Sequence, residues 1–413
     1  MDLTMARIYR LLCLTILCSL FYSCGKKETV SADSNADDKE IPQVVEIIDG
    51  GIVTLKLDLD ANFQFLSELR GINMEGKDYV TFYTRNANAI YLYDALTGEI
   101  VKKTVMDTEG PNAVKGHFRM SYFYHSIDSI FVNGLPLGLY LVSSDGQVLT
   151  KNNLGLHQEI ARFDSPKPMF DFASFYKNGK ISLATESMLN DIKTNERVQY
   201  DFENDLLGEE SIKTDLIISD TEEAREIKKE RRRRGDLTLN RFRFFSDNGE
   251  YLFASHVISD TIYAFQDGEL KKSIYAGVPD VDIADYASYA TVRTIEKFKN
   301  GMGAIENPKQ DPQFKNTLMS PDGKWIYRVL YHATKPKIEE GSDRPKPEVT
   351  AATLVVLDLE TENLTYFELP VNEVELGIPM NRHVFVTSRG IHFRVLDQEN
   401  EDEVQFRLFR LNR

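Results

Sequence analysis

The sequence predicts an all-β chain, folded as a β-propeller of six four-stranded blades and closed by pairing of an N-terminal strand with the C-terminal blade. Three observations predict it. From about residue 52 onward apolar residues recur at every second position, as in "IVTLKLDLD", where Val53, Leu55, Leu57 and Leu59 alternate with Thr54, Lys56, Asp58 and Asp60. That period gives a strand one dry and one wet face. Asp-Gly and Asn-Gly pairs then separate such runs, at Asp145-Gly146, Asn248-Gly249, Asp267-Gly268 and Asp322-Gly323, which is the strongest short-range hairpin signal. Finally, "IYLYDALTGEIVKK", "LYLVSSDGQVLTK" and "IYAFQDGELKKSI" repeat one phrase: an apolar strand, a polar turn ending in Gly, an acidic or amide residue, and a second strand. Hairpins recurring every 40 to 50 residues or so, with few helices, describe small twisted sheets that stack around an axis.

Blades are expected near residues 63–105, 118–154, 168–218, 239–277, 315–370 and 383–413. In the first, "YVTFYTRNANAIYLYDALTGEIVKKTV" gives three strands joined at Arg85-Asn86-Ala87-Asn88 and Ala95-Leu96-Thr97-Gly98, where Gly98 can take positive φ. The last supplies only "HVFVTS", "GIHFRVL" and "EVQFRLFRLN", so the orphan strand at 52–59 is available as its fourth. Joining the two ends of the chain in this way removes the open edges of the ring. Two unrelated β-sandwiches are the competing architecture, but the repeated phrase spans the body and no Pro/Ser linker divides it. Residues 44–413 therefore read as a single domain.

Composition narrows the functional classes. A chain of 413 residues can hold one large β domain, and its 24 Phe and 19 Tyr suit half-buried pleated surfaces. The formal net charge of -15 repels a polyanion and speaks against nucleic acid as a partner. Cys13, Cys18 and Cys24 are the only cysteines, so the body has no disulfide, no thiolate metal site and no cysteine nucleophile. That leaves the compartment open, because oxidising compartments permit disulfides without requiring them.

The first 23 residues read as an address. Arg7 and Arg10 precede the uncharged run "LLCLTILCSLF", which is too short to span a bilayer as a mature helix, and Ser23 is followed directly by Cys24. This order resembles a bacterial lipobox, which implies cleavage before Cys24 and lipid on its sulfur. The usual Leu and small residue before the cysteine are replaced by Phe21 and Tyr22, a looser pattern common in Bacteroidetes-type lipoproteins. An ordinary secreted protein with a cysteine near the cut is the alternative. Residues 24–43 lack aromatics and are rich in Ser, Asp, Lys and Glu, and so read as a flexible tether. With residues 1–23 removed the net charge stands near -16. Membrane attachment would then come from acyl chains on Cys24 and not from attraction to anionic headgroups.

Two stretches carry a family resemblance. "SPDGKWIY" resembles strand turns of TolB-like and WD40-like propellers. "NAIYLYD" with "EGPNAV" downstream is similar to Bacteroidetes-type propeller lipoproteins of unknown function. The resemblance covers most of the body. It implies a fold and an envelope location, either periplasmic or surface-facing on the outer membrane. It implies no established activity, so no catalytic residue carries over.

Candidate chemistry is sparse. "SDTEEAREIKKERRRRGD", residues 219–236, predicts a helix capped at Asp220 and ended at Gly235. Its Arg231, Arg232, Arg233 and Arg234 read either as a solvated face or as a dock for an acidic partner or lipid headgroups. The segment 334–350, with Lys335 and Lys337, is Pro-rich and charged and reads as a long exposed excursion between strands of one blade. The candidate recognition loops are 221–236, 278–314 and 334–350. The seven histidines make no H-E-x-x-H spacing and there is no G-x-S-x-G elbow. No cofactor, metal site or catalytic residue is assigned. The expected role is an envelope-anchored binding or scaffolding module, bound to the membrane through Cys24 and to a protein or glycan partner through loops on one face. The alternative is a hydrolase or lyase acting on glycans or small molecules in the axial channel.

Overall fold

A strand that is apolar on both sides must be covered on both sides, and that requirement organises this chain. The computed structural model describes residues 46–61, 66–114, 121–134, 138–154, 175–177, 180–189, 192–213, 242–247, 250–256, 259–266, 269–279, 281, 312–332, 335–337, 346–376, 383–396, 398 and 400–412. Every named element among them is a strand.

β1 (Glu46–Lys56) comes first. The first sheet follows as β2 (Leu66–Met74), β3 (Lys77–Thr84), β4 (Ala89–Asp94) and β5 (Ile100–Val105). The second is β6 (Ser121–Ser126), β7 (Ser129–Gly134), β8 (Gly138–Ser143) and β9 (Val148–Asn153). The third is β10 (Phe175–Lys177), β11 (Lys180–Leu189), β12 (Ile192–Asp201) and β13 (Leu206–Lys213). The fourth is β14 (Phe242–Asp247), β15 (Leu252–His256), β16 (Thr261–Gln266) and β17 (Glu269–Tyr275). In the fifth, β18 (Gln313–Met319) and β19 (Trp325–Tyr331) are separated from β22 (Ala352–Asp358) and β23 (Leu364–Glu368) by a ribbon of β20 (Lys335–Lys337) and β21 (Lys346–Glu348). The sixth has β24 (Val384–Thr387), β25 (Gly390–Arg394) and β26 (Glu403–Asn412), and its outer strand is β1. β1 and β26 run antiparallel, with Glu46 opposite Asn412 and Lys56 opposite Glu403.

Strands follow chain order from the inside outward in the first five sheets, and the sixth runs β24, β25, β26 and then β1. The first strands of neighbouring sheets lie beside one another, β14 by β18, β18 by β24, β24 by β2 and β2 by β6. The β24–β2 approach is close: a Cβ at Gly71 would sit 1.8 Å from the Val386 carbonyl oxygen. This is the architecture of an all-β propeller.

Burial explains the pattern. The second and third strands are covered on both faces: all of β19 is buried, as is all of β4 but its last residue. Their sequences, "WIYRVLY" and "AIYLYD", are therefore continuous apolar runs and not alternating ones. The expected period of two holds at the end of β1, where Val53 and Leu55 are buried beside exposed Ile52 and Lys56. The strand runs from 46 to 56 and not from 52 to 59, so Leu59, expected on the dry face, lies beyond it and is fully exposed. Outer strands such as β9 are mostly wet.

The cores lie between sheets. Tyr327, Val329 and Tyr331 of the fifth sheet pack with Val384, Ile391, Phe393 and Phe409 of the sixth. Leu55, Phe385 and Phe406 pack with Phe82, Tyr91 and Tyr93 of the first. Mixed clusters also join the first sheet to the second, the second to the third, and the fourth to the fifth. Polar ties cross the same seams. Buried Arg328 donates to the Ala276 carbonyl at 2.9 Å and the Ser259 carbonyl at 2.8 Å, and stacks 3.5 Å from the Phe314 ring centroid. Asp58, just after β1, accepts from Tyr91 at 2.7 Å and Lys103 at 2.8 Å in the first sheet.

The repeated phrase has a physical core that glycine alone does not describe. Asp94 ends β4 and its Oδ1 accepts from the Leu96 and Thr97 amides at 2.8 and 2.9 Å. Bonds from Lys77 and from those amides hold its carboxyl down at about 2. Asp358 and Asp201 cap the matching turns of the fifth and third sheets. Four residues after each aspartate the backbone is left-handed: Gly98 at φ 70°, Asp205 at 55° and Glu362 at 57°. At Gly98 glycine is needed for a second reason, because a Cβ would lie 1.7 Å from the Thr54 carbonyl of β1. Within the excursion at 334–350, Lys335–Lys337 and Lys346–Glu348 pair as the β20–β21 ribbon, Pro336 opposite Pro347. The expected helix at 219–236 lies outside the described residues.

Two outcomes are expected. Gly98→Ala should lower the urea midpoint by more than Gly76→Ala, since Gly76 is also left-handed but has open space around it. Gly76→Ala shows the backbone cost alone, roughly 1–2 kcal/mol, and equal losses would refute the packing of this turn on β1. His392, fully buried and stacked on Phe385 at 4.4 Å, is held neutral by burial, its pKa pushed down to about 3. The unfolded chain binds that proton near pH 6.5 and the folded chain does not, so stability falls as pH drops from about 6.5 toward 3. His392→Phe should flatten that acid-side decline by close to one proton in a series of urea midpoints against pH.

Candidate functional site

Most of the residues singled out from the sequence lie outside the described structure. Cys24 and Arg231, Arg232, Arg233 and Arg234 lie outside the described residues. Lys335 and Lys337 fall on β20, opposite Glu348 and Lys346 of β21; their side chains are outside the described ones. Of the loop 278–314, only 278, 279, 281 and 312–314 are described.

A cleft of about 350 Å³ forms elsewhere, at the seam of the fifth and sixth sheets. Its walls are Tyr327, Ser388, Arg389, Arg410, Leu411 and Asn412. Tyr327 is the third residue of β19 and packs into the seam core. Ser388 and Arg389 form the turn between β24 and β25. Arg410, Leu411 and Asn412 end β26, where they pair with Ile48, Ile47 and Glu46 of β1.

The turn is fixed from both sides. The Arg389 amide donates to Thr387 Oγ1 at 3.2 Å. The Ser388 amide donates to Asp78 Oδ2 in the first sheet at 2.8 Å, and its hydroxyl donates to the same oxygen. Asp78 Oδ1 is taken by the Asn73 amide at 2.8 Å. A Cβ at Gly390 would meet the Phe409 carbonyl and, at 3.0 Å, the Arg410 Cα, so the turn lies directly on the end of β26. The two arginines of the cleft are thereby brought together by strand pairing.

Other arginines of the sixth sheet are neutralised. Arg407 donates to Asp49 Oδ2 at 2.7 Å and also pairs with Glu373. Arg394 lies 3.1 Å from Glu375, which His383 also contacts at 3.3 Å. Burial alone would raise the Glu375 carboxyl, but His383 and Arg394 outweigh it and hold the group below the usual carboxylate range. The cleft walls carry two guanidiniums, an amide, two hydroxyls and no carboxylate or histidine. Such a surface can bind and orient an anion or a polar ligand; it carries no carboxylate or imidazole to act as a general base.

Among the described residues no group of three or more His, Cys, Asp or Glu is arranged to hold a metal ion. No described helix is long and apolar enough to cross a membrane. Sequence reasoning missed Arg389 and Arg410. The only trace of Arg389 was its place in a turn before Gly390; Arg410 looked like any polar residue of an outer strand.

No family model and no curated protein sequence matches the chain. Two solved structures share its fold. A member of the DUF4221 family from Bacteroides vulgatus is 14% identical, with a TM-score of 0.60 over 89% of this chain and 98% of that one. A putative exported protein from Bacteroides fragilis is 13% identical, with a TM-score of 0.51 over 92% of this chain and 98% of that one. At these identities the likeness is one of fold, and the fold is the propeller.

Proposed function

We propose that this chain is an exported lipoprotein of a Gram-negative envelope, whose propeller binds or scaffolds a partner through one face of its ring. In this reading each four-stranded sheet is one of six blades. β1 gives the sixth blade its outer strand and so joins the start of the ring to its end. The tether of residues 24–43 then leaves from that strand toward a lipidated Cys24. The export reading draws support from the leader-like first 23 residues and from the likeness to the Bacteroides fragilis protein described as a putative exported protein.

The observation that carries the binding role is the donor-lined cleft. Glycoside hydrolysis ordinarily needs two carboxyl groups flanking the scissile bond, and the cleft offers none. Donors with no carboxylate or imidazole beside them favour recognition over turnover at this place. The hydrolase or lyase alternative requires convergent carboxylates or histidines at another site.

Two measurements test the reading. Mass spectrometry of the protein from its own membranes should find Cys24 as the first residue, carrying acyl chains, and Cys24→Ala should leave the precursor uncut. An unmodified terminus at another residue refutes the anchor. A chain lacking residues 46–56 would expose the edge of β26, and it should melt earlier and self-associate in size-exclusion chromatography. An unchanged, monomeric truncation refutes the closing role of β1.

A further inference from the structure

We infer that the cleft between the fifth and sixth sheets is a binding site for an oxyanion, a carboxylate or phosphate, carried by a small polar ligand. This rests on the binding-module reading and names the chemistry of its site. Charge placement is the main argument. The chain carries 64 acidic against 49 basic residues, so a basic side chain seldom lacks an acid nearby. In the sixth sheet Arg394 and Arg407 follow that expectation and pair with Glu375, Asp49 and Glu373. Arg389 and Arg410 do not: neither guanidinium is tied by a hydrogen bond or ion pair to a described residue, and both line one cleft. Like charges brought together repel, and a bound anion removes that repulsion.

Geometry supplies the second argument. Arg389 rides on a turn clamped by Thr387 on one side and, through Ser388, by Asp78 of the first sheet on the other. Arg410 lies in a paired strand, opposite Ile48. The acid nearest in register, Asp49, stands opposite Phe409 and is bound by Arg407; Glu46, opposite Asn412, does not line the cleft. Little backbone ordering therefore remains to oppose binding. Two guanidiniums offer planar forks that match carboxylate or phosphate oxygens. The Asn412 amide and the Ser388 hydroxyl oxygen can meet hydroxyl groups beside the anion. A volume of about 350 Å³ is at the small end for ligand pockets, which fits a single sugar-sized molecule.

The test is calorimetric titration of the full chain in detergent at low ionic strength. The probes are glucuronate, glucose 6-phosphate, inorganic phosphate and glucose. The anionic probes should bind, glucose should not, and added salt should weaken binding. Arg389→Gln and Arg410→Gln should each lower affinity by about tenfold or more, the scale of one lost charged hydrogen bond. Their melting temperatures in the absence of probe should not fall. If Arg389→Gln misfolds, Arg410→Gln and Arg389→Lys carry the test. Equal binding of phosphate and glucose 6-phosphate identifies the free anion as sufficient; tighter binding of the sugar-bearing probes identifies an acidic sugar. Absence of binding by every anion, or affinity unchanged in the folded variants, overturns the site. A membrane partner still captured by a chain carrying both Arg389→Gln and Arg410→Gln would leave the binding-module reading standing with its contact elsewhere.

Discussion

No sheet of this protein can be stable by itself. Its middle strands are apolar on both faces, so each needs a neighbour on either side, and the neighbours need the same. The seam between the sixth and first sheets shows the scale: Phe82, Tyr91, Tyr93, Phe385 and Phe406 are all within 1% of full burial. Truncating one such ring in a packed core costs roughly 3–5 kcal/mol. That requirement makes the chain a succession of stacked sheets, gathers the first strands toward an axis and confines variety to turns and edges.

The polar groups inside the seams obey the same constraint. Arg328 is fully buried, and it is tolerated because two carbonyls from the fourth sheet and the Phe314 ring take up its charge. Thr81 and Tyr122 share a bond of 3.0 Å across the first and second sheets, and Ser255 and Thr317 share one of 2.7 Å across the fourth and fifth. These ties fix how one sheet sits on the next. The cleft follows from that fixity. Tyr327 comes from one side of a seam, Arg389 and Arg410 from the other, and Asp78 of the first sheet steadies the turn between them.

Much of the fold was legible. Alternation in "IVTLKLDLD" and the Gly-bearing turns marked strands and hairpins because those signals are local: a period of two and a positive φ need no distant partner. Gly98 and Gly146 are left-handed as their turns demanded. Other parts were hidden. "WIYRVLY" does not alternate, because both its faces are covered by residues far away in the chain. Asp205 and Glu362 occupy left-handed positions without glycine, held by turns capped by Asp201 and Asp358. The cleft was invisible, since its walls come from residues 327, 388–389 and 410–412.

The sequence by itself determined the class of fold, the hairpin positions and the leader-like start, because each rests on near-neighbour geometry or on composition. Tertiary structure alone decided which charges are available. In "QFRLFRLN" the two arginines occupy nearly identical local settings, each after a Phe and before a Leu. Folding brings Asp49 and Glu373 to Arg407, and brings the turn of Arg389 to Arg410. One arginine is neutralised and the other faces a cleft, because the Coulomb partner of a side chain is set by the strand that lies beside it in space.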